Sequence, residues 1–283
     1  MPERLRVLRA LPALQRAIMG WKAGHERFAL VPTMGALHRG HLALARAAKR
    51  RARRLLVSIF VNPAQFAPGE DLASYPRTLD ADLSLLAQLG VDTVWAPPVE
   101  VMYPAGFSTK VVPSGPALVG LEDRFRPDFF SGVATVVAKL LIQCGPDFAM
   151  FGEKDYQQLK VVNRMVTDLN LPTRVIAVPT VREKDGLALS SRNAYLSAEE
   201  RAVASSLYRV LMACAERIAR GELIAPVIDE GAAAIESAGF VLDYLEARHA
   251  DSLEPVASLD EGPIRLLVAA RLGRTRLIDN LAV

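Results

Sequence analysis

Two histidines three residues apart, His38 and His41, sit in a stretch otherwise built of small or flexible residues: Met34, Gly35, Ala36, Leu37, His38, Arg39, Gly40, His41. The apolar run Phe28-Ala29-Leu30-Val31 before it reads as a buried strand. Leu42, Leu44, Ala45 and Ala48 after it repeat with helical spacing. A strand, a glycine-bearing turn and a helix start make an anion site, because the first helical N–H groups lack partners within the helix and point outward. Gly35 and Gly40 let a phosphate or nucleotide reach the backbone with no Cβ in the way. With the helix starting near Arg39, His38 and His41 share one face and can address one ligand. A metal is disfavoured: His-x-x-His supplies only two ligands, neither cysteine is near, and no His-Glu-x-x-His pattern is present. No metal ligands are assigned.

Three more stretches carry chemistry. Gly152-Glu153-Lys154-Asp155-Tyr156-Gln157-Gln158 is a second strand–glycine–helix junction, whose lysine can reach phosphate oxygens as a mobile point charge. Gln158 follows Lys154 by one helical turn, so both can face one cavity. Leu189-Ser190-Ser191-Arg192-Asn193 sets two hydroxyls beside a guanidinium, which suits an oxyanion. Asn62-Pro63-Ala64-Gln65-Phe66 offers neutral amides, which both donate and accept and suit a substrate carrying hydroxyls beside a carboxylate. Each also has a plain reading, as a helix cap, a solvated charged helix start, a polar loop or a turn.

The elements that must position these residues alternate. A helical face at Leu14, Ala17, Ile18 and Trp21 precedes the strand at 28–33 and the helix after it. Strands at 55–61, 93–95, 148–151 and 174–178 are separated by helices at 79–89, 133–141 and 155–169, with Gly90 and Gly145 as stops. This order predicts α/β architecture, a parallel sheet wrapped by helices, with ligands beyond the carboxyl ends of its strands. Near residue 180 the pattern changes. Ser197 and Glu200 form a capping box opening a helix through Ile218 that Gly221 closes; a helix at 226–238 and strands near 240–247, 264–271 and 275–280 follow. The expected division is 1–180 and a smaller α+β domain over 181–283.

Composition sets outer limits. Of 283 residues 51% are hydrophobic and 23% charged, as in ordinary globular proteins, and a net charge of +3 gives little support to a nucleic-acid partner. The arginines between 46 and 54 suit a solvated helix end. Cys144 and Cys214 have no recognisable pairing pattern, which fits a reducing compartment. Met1-Pro2-Glu3-Arg4-Leu5 offers no uninterrupted apolar segment, so no signal peptide is expected, and Lys139 interrupts the best candidate for a bilayer span. A soluble, cytoplasmic protein without membrane partners is expected.

The ordered set Val-Pro-Thr-Met-Gly-Ala-Leu-His-x-Gly-His, Phe60-Val61-Asn62-Pro63-x-Gln65-Phe66, Tyr75-Pro76-Arg77-Thr78, Phe151 to Gln158 and Ser190-Ser191-Arg192-Asn193 closely resembles the pantoate–β-alanine ligases. The matches run from about residue 30 to 196. His-x-Gly-His alone marks only the wider nucleotidyltransferase superfamily. The resemblance implies a Rossmann-like parallel-sheet domain, a C-terminal lid domain, a homodimer, and a step in making coenzyme A precursors. It implies that (R)-pantoate and Mg²⁺-bound ATP form pantoyl adenylate, which β-alanine converts to pantothenate. By motif, Met34 to His41, Gly152 to Asp155, Val181 and Leu189 to Arg192 bind ATP. Gln65 and Gln158 hold pantoate, with Asn62 beside them. His41 is the expected proton donor and, with Lys154, Arg192 and Mg²⁺, a fixed countercharge to the phosphates; His38 joins them as a catalytic residue.

Two positions depart from the family pattern. Phe129 follows Arg126-Pro127-Asp128 where many members carry a histidine, and Ala188 precedes the Leu189-Ser190-Ser191-Arg192 loop where a related loop starts with lysine. An adenylyl- or cytidylyltransferase would share both histidines, but Gln65 and Gln158 favour a hydroxy-acid substrate. A nucleic-acid-binding module, suggested by the arginines at 46–54, would show salt-dependent binding.

Overall fold

Alternate residues of one apolar strand face opposite sides. Phe28 and Leu30 enter one core cluster while Ala29 and Val31 enter another, which is why the run is apolar throughout. The computed structural model describes residues 5–283. Met1-Pro2-Glu3-Arg4, on which the expected lack of a signal peptide rests, lie outside the described residues. The elements are β1 (Arg6–Leu8), α1 (Leu11–Ala23), β2 (Phe28–Thr33), α2 (Arg39–Lys49), β3 (Arg54–Ile59), α3 (Leu79–Gln88), β4 (Thr93–Trp95), α4 (Val99–Met102) and α5 (Glu122–Phe125). They continue as α6 (Phe129–Cys144), β5 (Phe148–Gly152), α7 (Tyr156–Asp168), β6 (Arg174–Val178), α8 (Ala198–Ala204), α9 (Ser206–Ala219), α10 (Ile224–Ser237), β7 (Val241–His249), β8 (Ile264–Leu272) and β9 (Thr275–Ala282).

The first six strands form one parallel sheet in the order β1-β4-β3-β2-β5-β6. Connections run outward in both directions from β2, so the β2–β5 boundary is the topological switch point where such sheets bind ligands. The β2–β5 ladder pairs only Ala29 with Phe148 and Leu30 with Ala149. Beyond it the strands part, and a crevice opens between Thr33 and Gly152. Helices α1, α6 and α7 cover one face through Leu14, Trp21, Leu140 and Val162; α2 and α3 cover the other through Ala45, Ala48 and Leu86.

A separate core joins α9 and α10 to the antiparallel sheet β7-β8-β9 through Leu211, Ile218, Val227, Ile235, Leu266 and Val268. Three details differ from expectation. Strand β1 is added at the sheet edge, too short and too exposed to give a periodic signal. Helix α6 begins at Phe129 rather than Val133. The helix opened by the Ser197 capping box breaks at Ser205, where the Ser206 hydroxyl donates to Val203 O (2.7 Å) in competition with the helical ladder. No described helix is long and apolar enough to cross a membrane.

Candidate active site

The His-x-Gly-His loop is held from within and from α3. Gly35 and Ala36 both take positive φ, 86° and 50°. Asp82, 1% exposed, accepts the backbone N–H groups of Ala36 (3.0 Å) and Leu37 (2.8 Å). Gly35 N–H turns to the Thr33 hydroxyl oxygen (3.3 Å). His38 caps α2: its Nδ1 accepts Gly40 N–H (3.1 Å), and His41 Nδ1 accepts His38 N–H (3.3 Å). Five backbone N–H groups of the loop and helix start thus have partners within the protein. The loop presents both imidazoles to the cavity. Gly40 serves that packing, since a Cβ there would come 2.8 Å from His38 Cε1.

Both Nδ1 atoms are acceptors, so both rings carry their proton on Nε2. The rings lie 4.1 Å apart between centroids. Burial, with the Lys154 charge second, pushes His38 down to about 4. Burial, then His38 and Lys154, pushes His41 down to about 3. Shifts of this size leave both imidazoles neutral N–H donors at pH 7. An unfolded histidine takes up its proton near pH 6.5, so from there down to about pH 4 the unfolded chain binds more protons than the folded one. This contribution is complete above pH 6.5 and is lost as pH falls. Acidification from pH 7 to pH 5 is expected to lower the unfolding temperature less in a His38→Gln/His41→Gln variant than in the parent. Parallel pH profiles in calorimetry would contradict it.

Across the crevice, Lys154 lies on a 3₁₀ turn, Glu153–Asp155, not on the helix start its motif suggests. Its side chain is 18% exposed, with Nζ 3.6 Å from Asp155 Oδ1. Gln157 is committed to Glu122 N–H, Pro116 O and Asp123, whereas Gln158 lies on the cavity wall. Asn62 is likewise committed. It caps the turn Pro63–Gln65, accepts the Tyr103 hydroxyl (2.7 Å), and donates to Gly132 O (3.2 Å) and Gln65 Oε1 (3.0 Å). At 1% exposure it orients Gln65 from the cavity wall. The Gln65 carbonyl is thereby occupied, and its amide nitrogen, 3.2 Å from Met34 Sδ, is the end left to a ligand. A Cβ at Gly132 would lie 2.1 Å from Ala64 O, so α6 can approach this turn only through a glycine.

The third side is the 189–192 loop. Ser190 Oγ accepts Arg192 N–H (3.3 Å), and the Ser191 hydroxyl donates to Ala36 O (3.4 Å), joining this loop to the histidine loop. Leu189 N–H donates to Val181 O (3.0 Å). Arg192, the loop's expected cation, is paired: Nε and one terminal nitrogen grip Asp71 at 3.0 and 2.8 Å. Burial opposes the Asp71 charge, but those hydrogen bonds outweigh it and hold the carboxyl below its ordinary range. All three sides face one cavity of about 670 Å³, within the range of small-ligand sites. Met34, His38, Gly40, His41, Asn62, Gln65, Gly152, Lys154, Asp155, Gln158, Val181 and Leu189 to Arg192 line it; Gly35, Ala36, Leu37, Arg39 and Glu153 do not. Arg39 instead pairs with Glu183, and Glu153 with Arg265 (3.5 Å). Asp71 and Asp82 escaped the sequence reading because neither lies in a motif with its partner.

The sequence profile of the family described as pantoate–β-alanine ligase matches residues 6–282. The chain belongs to the pantoate–β-alanine ligase family. It is 64% identical over 277 residues to "Pantothenate synthetase" of Rhodopseudomonas palustris (strain BisA53), covering 98% of both chains. It superposes on the crystal structure of pantothenate synthetase from Thermus thermophilus with TM-score 0.92 at 48% identity, covering 98% of each. The pantoate–β-alanine ligase from Francisella tularensis, solved with "Beta-gamma ATP and Beta-alanine", matches with TM-score 0.83 and 33% identity over 98% of this chain and 97% of that one. Membership makes this chain a ligase joining pantoate to β-alanine. In this pantoate–β-alanine ligase, Phe129 packs under the Arg126 guanidinium (3.8 Å to the ring centroid) while Arg126 pairs with Glu70 (2.7 and 2.8 Å) and donates to Gln65 O (3.1 Å). The aromatic departure thus supports the arginine that braces the Gln65 turn.

Proposed function

We propose that the ATP-dependent ligation runs through pantoyl adenylate. The pantoate carboxylate attacks the α-phosphate of Mg²⁺-bound ATP and pyrophosphate leaves; the β-alanine amine then attacks the activated carbonyl and AMP leaves. The substrate carboxylate is the nucleophile, so no nucleophilic side chain is needed. His38 and His41 donate Nε2–H to phosphate oxygens, and Lys154 stands over the reacting phosphates as the fixed charge. Arg192 joins them by leaving Asp71 when the triphosphate arrives. Met34, Gly152, Asp155, Val181, Leu189, Ser190 and Ser191 form the rest of the nucleotide site; the Gln65 amide nitrogen and Gln158 hold pantoate. Among the described residues no group of three or more His, Cys, Asp or Glu could cage a metal. Mg²⁺ fits here as part of the substrate, kept by phosphate oxygens and water, where it neutralises charge. The division at 180/181, a lid role for the C-terminal unit, a homodimer and a cytoplasmic site complete the reading.

The observation that carries it is the meeting, at the β2–β5 switch point, of two neutral imidazoles, an enclosed lysine and an amide held ready by Asn62. Labelled pyrophosphate is expected to exchange into ATP with pantoate present and β-alanine absent. Exchange that needs neither acid, or that needs β-alanine, rules the adenylate out.

A further inference from the structure

Lys154 is placed by a residue from the other sheet. The turn Glu153–Asp155 has no side-chain cap of its own. Its carbonyls at Glu153 and Lys154 instead both accept from Asn280 Nδ2, at 2.9 and 2.8 Å. Asn280 lies on β9 and is 2% exposed. Its amide cannot turn over, because Oδ1 accepts Arg265 Nε at 2.8 Å from the neighbouring strand β8. The same Arg265 reaches Glu153, and its guanidinium stacks 4.2 Å above the Tyr156 ring at the start of α7. On the other side, Asn280 N–H donates to Asp279 Oδ1 (2.7 Å), and Asp279 is gripped by Arg182 (2.6 and 2.9 Å). Every polar atom of the Asn280 side chain is thus committed, and the amide's two protons go to consecutive carbonyls of the turn that bears the lysine.

We propose that Asn280 is a positioning residue for Lys154, through which the C-terminal sheet sets the lysine's place over the reacting phosphates. The inference rests on the catalytic reading of Lys154 given above. Two hydrogen bonds to adjacent carbonyls fix both the position and the tilt of the intervening peptide, from which the Lys154 side chain departs. A misplacement of about 1 Å can cost roughly 100-fold in rate. The contact of β9 with this turn and the seating of the lysine are then one and the same.

The test is a double-mutant cycle on pantoyl-adenylate formation in a single turnover at saturating ATP, using Asn280→Ala, Lys154→Ala and the double variant. Asn280→Ala is expected to slow adenylate formation by roughly 10–100-fold with little change in ATP binding. In the Lys154→Ala background it is expected to add almost nothing. Asn280→Asp keeps the shape and the Arg265 contact but loses both donors; it is expected to behave like Asn280→Ala and stands in for it should the alanine variant not fold. Effects that multiply in full, or an Asn280 variant at the parent rate, overturn the inference while leaving Lys154 catalytic. A Lys154→Ala enzyme at the parent rate overturns the catalytic reading and the inference with it.

Discussion

Lys154→Ala is expected to lower the single-turnover rate of pantoyl-adenylate formation by roughly 10²–10³-fold at saturating ATP, the size seen when one preorganised electrostatic donor is removed. A lysine that merely attracts ATP binds ground and transition states alike, and its loss appears in KM. Lys154 differs from such a tether because its turn is held from β9 and its side chain is largely enclosed. Charge grows on the pyrophosphate oxygens as the bond to the α-phosphate breaks, so a fixed ammonium gains most in the transition state. The two imidazoles cannot substitute, since burial keeps them neutral. Quenched-flow measurement of adenylate isolates the step from product release. A parent-like rate with a raised KM for ATP would make Lys154 a tether.

The second large effect separates the two nitrogens of His41. Nδ1 accepts the His38 N–H and closes the α2 cap, while Nε2–H is the group free to meet a phosphate. Asparagine places its amide oxygen near the Nδ1 position and nothing at Nε2; glutamine can reach Nε2 with an N–H. His41→Asn is therefore expected to keep near-parent stability yet slow adenylate formation by roughly 10²–10³-fold. His41→Gln gives up the cap, at about 0.5–2 kcal/mol of stability, but retains a donor and loses on the order of tenfold in rate. Rates come from the same single-turnover assay and stabilities from denaturant titration. If glutamine is as slow as asparagine, the site needs an imidazole that gives up its proton, as the family resemblance implies, rather than a neutral donor.

Local chemistry made much of this protein legible in its sequence. Apolar runs at 28–31, 148–151 and, with Ser58 as its one polar residue, 55–61 announce strands covered on both faces, and the βα alternation leads to a parallel sheet. The His-x-Gly-His turn, the second strand–glycine junction and the Ser197–Glu200 capping box all act within one helical turn, so spacing suffices to find them. The ordered motifs point to the ligase family, which the match over residues 6–282 shows.

What spacing could not reveal was the state of each group. Desolvation of His41 comes from the walls that fold around it, and it keeps the imidazole a neutral donor. Arg192 meets Asp71 across 121 positions, Ala36 meets Asp82 across 46, and Lys154 is held by Asn280 across 126. Asn62 spends hydrogen bonds on Tyr103 and Gly132, 41 and 70 positions away. Residue type and periodicity are set by neighbours within a turn or a strand, and those the sequence determined unaided. Charge state, free hydrogen-bonding capacity and rigidity depend on which distant groups exclude water or supply a partner, and only the tertiary structure decided them.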